Sequence, residues 1–271
     1  MSDEKSLKYN EPWILQRADP YVYRHTDGSY YFTASVPAYD GIVLRRAGTL
    51  AELSGAEEVM VWKKHESGPM SYHIWAPEIH YLFGKWYIYF AGGEAEDIWK
   101  IRPYVLECSG DDPLTDEWVE LGKMKRAAED EFSFEAFSLD ATVFENKGEY
   151  YYVWAEKVGV GKMISNLYIA KMESGNQLKT VQILLTTPDY DWERKGFWVN
   201  EGPAVIHHDG KLFLTYSASE TGVDYCVGML SIDEDADILD PRLWKKERYP
   251  VLKTCEKLGI YGPGHNSFTV E

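Results

Sequence analysis

Three acidic residues occupy matching places in a pattern that repeats along this sequence. In each copy an apolar run leads to a glycine, and an aromatic run follows it. Asp19 lies nine residues before the glycine of its copy, Asp140 eight and Glu201 nine. When carboxyl groups lie close together and partly shielded from water, the pKa of at least one rises, so that one can donate a proton while another accepts one. Hydrolysis of a glycosidic bond requires this division of labour.

The repeat that must position these acids is long. Its glycines, Gly28, Gly84, Gly148 and Gly210, follow each other at intervals of 56, 64 and 62 residues. About sixty residues is too long for one hairpin but suits a four-stranded sheet with its loops, as in a propeller blade. The pattern begins again in Gly-Pro-Gly-His at 262–265. The sequence therefore predicts one all-β domain, 1–271, with blades at about 17–65, 73–125, 137–188 and 199–253 and the start of a fifth at about 262–271.

The first strand of each blade lines the axis of a propeller, so the residues that begin these strands converge at one mouth. The second copy places Ala76 there, and the fifth start places His265 there. His265 is also a candidate ligand for a structural cation near the axis. Aromatic rings can stack on the apolar face of a sugar. We expect substrate contacts from residues near blade starts or on facing loops: Trp75, Phe137, Asn166 and His265, with Tyr39 a weaker candidate.

The composition argues against some partners. The formal net charge is −16, whereas nucleic acids and anionic membrane surfaces are bound by clustered Lys and Arg. The 20 Tyr and 10 Trp favour strands and suit sugar binding, although we expect most of them in the core. Three widely spaced cysteines predict no disulfide framework. The N-terminus has no apolar signal region and no stretch reaches transmembrane length, so the sequence predicts a cytoplasmic protein.

Five short motifs, in this order, are shared with a known family. They are Ala-Asp-Pro at 18–20, Trp-Ala-Pro-Glu at 75–78, Leu-Asp-Ala-Thr at 139–142, Asn-Glu-Gly-Pro at 200–203 and Gly-Pro-Gly-His at 262–265. In this set the chain resembles glycoside hydrolase family 43, and it is most similar to the exo-acting α-L-arabinofuranosidase branch. The resemblance implies a five-bladed β-propeller, here with an incomplete fifth blade, and hydrolysis with inversion.

The resemblance also implies a role for each acid. Asp19 would be the general base, Glu201 the general acid, and Asp140 the residue that tunes and orients Glu201. The implied substrate is a terminal α-L-arabinofuranosyl residue of an arabinan or arabinoxylan-type oligosaccharide, and no cofactor is required. β-Xylosidases and endo-arabinanases share the same acids, so those activities stay open, as does a non-catalytic carbohydrate-binding propeller. An incomplete fifth blade would also allow self-association.

The remaining features receive ordinary interpretations. Gly159-Val-Gly-Lys162 lacks the spacing and the hydroxyl residue of a phosphate-binding loop. Glu78 lies two residues past the start of the second blade, and we expect it to make structural hydrogen bonds. The charged segments 94–100 and 126–135 are interpreted as surface loops. Residues 249–252 are expected to form the last strand of the fourth blade.

Overall fold

The computed structural model describes residues 12–160 and 162–270, so the predicted domain limits, Met1 and Glu271, lie outside the described residues. The fold is all-β, and its strands form three sheets, none of them closed. Two of these sheets contain four strands each, antiparallel and in chain order. Their strands are β1 Ala18–Arg24, β2 Tyr30–Ser35, β3 Gly41–Ala47 and β4 Val59–Lys63, then β5 Tyr72–Leu82, β6 Lys85–Glu94, β7 Asp97–Cys108 and β8 Val119–Lys123.

The third sheet joins two further groups of strands, because β11 pairs in parallel with β14 at Ile164–Trp198 and Ser165–Val199. We refer to the four groups, β1–β4, β5–β8, β9–β13 and β14–β17, as repeats 1 to 4. They begin at residues 18, 72, 138 and 198. The strands are β9 Ser138–Asn146, β10 Glu149–Val160, β11 Lys162–Ser174, β12 Gln177–Leu178, β13 Ile183–Thr186, β14 Trp198–His208, β15 Lys211–Ala218, β16 Cys226–Asp233 and β17 Lys245–Lys246; the 3-10 helices are Ala51–Ser54, Asp191–Glu193, Pro241–Leu243 and Glu256–Leu258.

The turn between the first two strands of each repeat explains the uneven spacing of the acids. Repeat 1 has a five-residue loop between Arg24 and Tyr30, closed by the His25 N–H donating to Ser29 O at 2.8 Å. This longer loop explains why Asp19 lies nine residues before Gly28, whereas Asp140 lies eight residues before Gly148. The other repeats use two-residue turns in which both residues have positive φ, as in type I′ hairpins: Phe83-Gly84, Lys147-Gly148 and Asp209-Gly210.

Each inner strand, the first of its repeat, carries a bulge near its beginning, where the pairing with the second strand slips. A residue with left-handed backbone marks each bulge: φ is 54° at Asp19, 46° at Ala76, 52° at Asp140 and 53° at Gly202. His265 has the same conformation, with φ of 45°. A left-handed residue with a Cβ costs roughly 1–2 kcal/mol, and such strain is typical of functional sites.

The fourth bulge shows that the predicted alignment of the three acids is wrong by one residue at Glu201. Its left-handed residue is Gly202, eight residues before Gly210, and not Glu201. Asp19 and Asp140 are therefore equivalent in their repeats, whereas Glu201 stands one residue earlier. Because a bulge turns side chains away from strict strand alternation, this offset still leaves Glu201 facing the same cavity as the other two acids.

Three other predicted elements differ in the structure. Residues 94–100 are not a surface loop, because they form the end of a long hairpin. In this hairpin β6 ends at Glu94 and β7 begins at Asp97. Residues 249–252 form no strand, and only Leu252 bridges to Val227, because the last strand of repeat 4 is the two-residue β17. Residues 262–270 form no strand either, although Tyr30 of repeat 1 donates to Val270 O at 2.9 Å.

The aromatic residues mostly fill the interior, as the sequence predicts. Trp86 and Tyr89 are fully buried in repeat 2, as are Tyr152 and Trp154 in repeat 3 and Tyr216 in repeat 4. The three cysteines are unpaired. Within residues 12–160 and 162–270, no helix has the length and apolar character needed to cross a membrane.

Candidate active site

The bulged ends of the inner strands surround a cavity of about 490 Å³. Asp19, Asp140 and Glu201, which are far apart in the sequence, all line this cavity together with His265. A cavity of this size with a few convergent polar groups is the usual form of a small-molecule site. We therefore regard it as the candidate active site.

Asp19 is fixed from two sides but stays in contact with solvent. Ser35 Oγ, on the neighbouring strand, donates to Asp19 Oδ2 at 2.6 Å and accepts a hydrogen bond from the Ala76 N–H at 2.7 Å. On the other side, His265 Nδ1 lies 3.1 Å from Asp19 Oδ1. The Asp19 side chain is 25% exposed. A fixed carboxylate that water can reach is suited to activating a water molecule.

Asp140 is more enclosed, with a side chain only 8% exposed. Its Oδ2 accepts a hydrogen bond from the Gly202 N–H at 3.1 Å. Burial, followed by the charge of Asp19, raises the pKa of Asp140 well above its ordinary value. Because Gly202 directly follows Glu201, this hydrogen bond ties Asp140 to the backbone that carries Glu201.

Glu201 has the electrostatic properties of a general acid. Burial, followed by the charge of Asp140, raises the pKa of Glu201 to about 7. The Tyr225 hydroxyl donates to Glu201 Oε1 at 2.8 Å, which opposes the rise and fixes the carboxyl group. Lys157 also lines the cavity, and burial lowers the pKa of Lys157 while the charge of Glu201 raises it. At neutral pH a large fraction of Glu201 is protonated, as proton donation to a leaving group requires.

His265 completes the ring of polar groups. Its backbone N–H donates to Ser217 Oγ at 2.6 Å, and its side chain packs against Gly202. A Cβ at Gly202 would lie 3.2 Å from the imidazole, and φ is positive there, so the position favours glycine. Among the described residues, no three His, Cys, Asp or Glu side chains are grouped to hold a metal ion. The cation near His265 stays a prediction.

Not every predicted substrate contact lies at the cavity. Trp75, Phe137 and Tyr39 line it with His265. Asn166 does not: it is buried on β11, and its Nδ2 donates to the Tyr168 hydroxyl at 3.2 Å. The position of Asn166 therefore does not support the predicted contact with substrate. The preceding residue, Ser165, lines the cavity. Because successive residues of a strand point to opposite faces, the Asn166 side chain lies in the sheet packing instead.

Sequence reasoning missed several residues that the structure brings to the cavity. Lys157 and Tyr225 contact the region of Glu201 from neighbouring strands and loops, and nothing in their sequence surroundings indicated this. Phe197 directly precedes the fourth inner strand and Trp198 begins it, so their closeness to a strand start was a usable signal. Met163 directly follows the segment 159–162, and nothing in that segment indicated the cavity. All five lie among the residues that line the cavity.

A second buried acid lies beneath the cavity, two residues along β5 from the bulge at Ala76. Glu78 Oε2 is 2.9 Å from His80 Nε2. Burial raises the pKa of Glu78 to about 8 and lowers the pKa of His80 to about 3. Both groups are thus neutral near pH 7, and a hydrogen bond joins them. This pair makes the structural hydrogen bond expected of Glu78.

An all-β fold with three clustered carboxyl groups at one cavity defines a carbohydrate-hydrolase type of site. The chain matches the family model described as glycosyl hydrolases family 43 over residues 9–271, and it belongs to that family. The resemblance seen in the sequence motifs is therefore confirmed.

Its similarity to characterised relatives is high. The chain is 49% identical over 265 residues to an extracellular exo-α-(1→5)-L-arabinofuranosidase of Streptomyces avermitilis, covering 98% of this chain and 54% of that one. It is 48% identical to an enzyme of the same description from Streptomyces chartreusis, covering 97% of this chain and 78% of that one. The crystal structure of an α-L-arabinofuranosidase from Lactobacillus brevis superposes with a TM-score of 0.87 at 51% identity, covering 96% of this chain and 81% of that one. The chain thus spans about half the length of the Streptomyces avermitilis relative.

These relatives overturn the predicted location. Both Streptomyces proteins are described as extracellular, which points to a secreted protein and contradicts the expectation of a cytoplasmic one. That expectation rested on the polar first residues and on the lack of a stretch of transmembrane length, and both features are poor guides to export.

Proposed function

We propose that this chain is the catalytic domain of a secreted, inverting exo-α-L-arabinofuranosidase that releases terminal arabinofuranosyl residues from arabinan or arabinoxylan-type oligosaccharides. The observation that carries the proposal is the meeting of Asp19, Asp140 and Glu201 at one cavity, with the pKa of Glu201 raised to about 7. Inversion is a property of the family, and relatives at 44–49% identity are named α-L-arabinofuranosidases.

In the proposed reaction the sugar lies between Asp19 and Glu201. The Asp19 carboxylate accepts a proton from a water molecule while the water oxygen attacks the anomeric carbon. The Glu201 carboxylic acid donates its proton to the glycosidic oxygen as the bond from that oxygen to the anomeric carbon breaks. The product sugar has the opposite anomeric configuration. Exchange of protons with solvent then returns Asp19 to the ionised form and Glu201 to the protonated form.

Asp140 is proposed to act through Glu201. In its ionised form Asp140 raises the pKa of Glu201, and its hydrogen bond to the Gly202 N–H holds the backbone next to Glu201. Asp140 would thus keep the acid protonated and oriented without touching the leaving group.

For the architecture, we propose that repeats 1 to 4 are blades of a five-bladed propeller within a single domain. The four repeats of strands and the five left-handed residues, with His265 as the fifth, support this arrangement. Residues 262–270 would occupy the place of the fifth inner strand, since His265 bonds to repeat 4 and Val270 bonds to repeat 1.

A matched pair of aryl glycosides tests the proposed substrate. The chain should hydrolyse an aryl α-L-arabinofuranoside in preference to the corresponding aryl β-D-xyloside. A preference for the xyloside would indicate a β-xylosidase instead, and turnover of neither, with sugar binding retained, would indicate a non-catalytic module. The Glu201→Gln variant is the control for contaminating activity. It should lose turnover of substrates with poor leaving groups while keeping the fold, as seen by circular dichroism.

A further inference from the structure

A fully buried carboxyl group, which the proposed reaction does not use, contacts the strand that carries the general acid. Glu193 ends the 3-10 helix Asp191–Glu193, and its side chain is 0% exposed. Its Oε2 accepts hydrogen bonds from the Asp189 N–H and the Tyr190 N–H, both at 2.9 Å. Lys246 Nζ lies 2.8 Å from Glu193 Oε1 and 2.9 Å from Oε2. Burying a carboxyl group is costly unless it is paired and hydrogen-bonded, and Glu193 is both.

Lys246 connects Glu193 to the last strand of repeat 4, because it belongs to β17. Its Nζ also donates to Asp189 Oδ1 at 2.6 Å and to Thr187 O at 2.8 Å. Both partners belong to the segment that joins repeats 3 and 4. The ion pair therefore fixes residues 187–193 against repeat 4.

The other oxygen of Glu193 holds the residue that precedes the general acid. Asn200 Nδ2 and the Tyr216 hydroxyl each donate to Glu193 Oε1 at 2.9 Å. Asn200 is fully buried, and its backbone O accepts a hydrogen bond from Ser165 Oγ of β11 at 3.2 Å. Glu193 and Asn200 are not among the described residues that line the cavity. An effect of either residue on the reaction must therefore pass through Glu201, which directly follows Asn200.

The inner strand needs such a hold because its regular pairing stops at the general acid. β14 pairs regularly with β15 up to Glu201, and the register then slips. A bulge of this kind disrupts the hydrogen bonds of the ladder. On one side of Glu201 the Gly202 N–H donates to Asp140 Oδ2 at 3.1 Å, and on the other side Asn200 donates to Glu193. Glu201 thus lies between two residues that are each hydrogen-bonded to a carboxyl group.

We propose that Asn200, held by the buried Glu193, is a positioning residue for the general acid. It fixes the strand on one side of Glu201 as Asp140 does on the other, so that the Glu201 carboxyl group is held where it meets the leaving oxygen. A displacement of about 1 Å in a reacting group can cost roughly a hundredfold in rate. The proposal rests on the hydrolase function proposed above.

The test uses the dependence of the rate on the leaving group. Proton donation matters greatly when methanol leaves and little when 4-nitrophenolate leaves. For Asn200→Ala, kcat/KM on methyl α-L-arabinofuranoside should fall about tenfold, whereas on 4-nitrophenyl α-L-arabinofuranoside it should stay within about twofold. Glu201→Gln should show the same pattern more strongly, because it has no proton to donate. A role in stability alone would lower both values by one factor, because a smaller folded fraction affects both substrates equally.

Tyr216→Phe is the matched control, because it removes a donor to the same oxygen of Glu193 at the same distance and leaves Asn200 in place. The ratio of the two kcat/KM values should stay within about twofold of that of the unaltered chain. Lys246→Met removes the ion pair without changing β14, and it should shift the ratio about threefold in the same direction as Asn200→Ala. It tests the proposal even if Asn200→Ala does not fold.

Equal losses on both substrates in Asn200→Ala would overturn the proposal. A shift of the ratio in Tyr216→Phe as large as that in Asn200→Ala would overturn it too, as would an unchanged ratio in Lys246→Met. If the unaltered chain cleaves neither substrate, the proposed function itself fails, an outcome distinct from an unchanged ratio in an active variant.

Discussion

Two groups of titratable side chains lie close together in this protein, and their electrostatic environments differ. At the cavity, the charge of Asp19 raises the pKa of Asp140, the charge of Asp140 raises the pKa of Glu201, and Asp19 remains open to water. Just beneath, Glu78 is paired with His80, and both are neutral near pH 7. Both groups lie on inner strands, and Glu78 is only two residues past the bulge at Ala76.

The difference shows that burial alone does not make a carboxyl group catalytic. Glu78 is hydrogen-bonded inside the fold and does not line the cavity, so its raised pKa keeps it uncharged there. Glu201 has a similarly raised pKa, but it faces a space where a substrate fits and has a second acid to tune it. A site for acid and base chemistry needs access to the reactant as well as a shifted pKa.

The largest expected effect is a difference in kcat between variants of the cavity acids and variants of Glu78. Asp19→Asn removes the proposed base and should lower kcat on an aryl α-L-arabinofuranoside by about a thousandfold, within the range known for general bases. Glu78→Gln should keep kcat within about threefold, because Glu78 does not face the cavity. Steady-state kinetics of the two purified variants check this. A Glu78→Gln variant as impaired as Asp19→Asn would place Glu78 in the reaction.

A smaller effect should appear in the pH dependence. Glu201 must be protonated to act, so kcat/KM should fall as the pH rises through about 7. Since the charge of Asp140 helps to raise the pKa of Glu201, the Asp140→Asn variant should show this fall at lower pH. The pH profiles of kcat/KM for the two proteins measure the shift. An unchanged basic limb would mean that Asp140 does not tune the acid.

The smallest expected effect is on the stability of the fold and not on activity, and it involves Glu78. The folded protein raises the pKa of Glu78 from 4.5 to about 8, so the fold favours its protonated form. The resulting stability is complete below about pH 4.5 and is lost as the pH rises through about 8. Urea unfolding at several pH values should therefore show a shallower decline in unfolding free energy for Glu78→Gln, by a few kcal/mol at the alkaline end. Parallel curves for the two proteins would contradict the raised pKa.

Much of this site follows from the sequence because the repeats share one geometry. The glycine of each hairpin fixes a register, and residues eight or nine positions earlier reach the same place in each sheet. Asp19 and Asp140 were found in this way, and His265 was found from the motif that begins the fifth copy. The structure places all three at the left-handed position. Glu201 was identified by an alignment that is off by one residue. The residue of repeat 4 that is equivalent to Asp19 and Asp140 is Gly202.

Other parts of the site depend on contacts between repeats that one sequence does not encode locally. Tyr225 reaches Glu201 from the loop before β16, and Lys157 reaches the cavity from β10. Asn166 shows the opposite error: its closeness to a predicted strand start suggested the cavity, but its strand is central and its side chain packs inside. Which way a strand residue faces is decided by bulges and strand order, which a linear pattern does not reveal.

The most direct test of the central account, a water-activating Asp19 facing a proton-donating Glu201, is the configuration of the first product. ¹H NMR during hydrolysis of an α-L-arabinofuranoside should show β-L-arabinofuranose forming first, with the α-anomer appearing only later by mutarotation. If the α-anomer forms first, the reaction retains configuration, and the proposed roles of Asp19 and Glu201 are wrong.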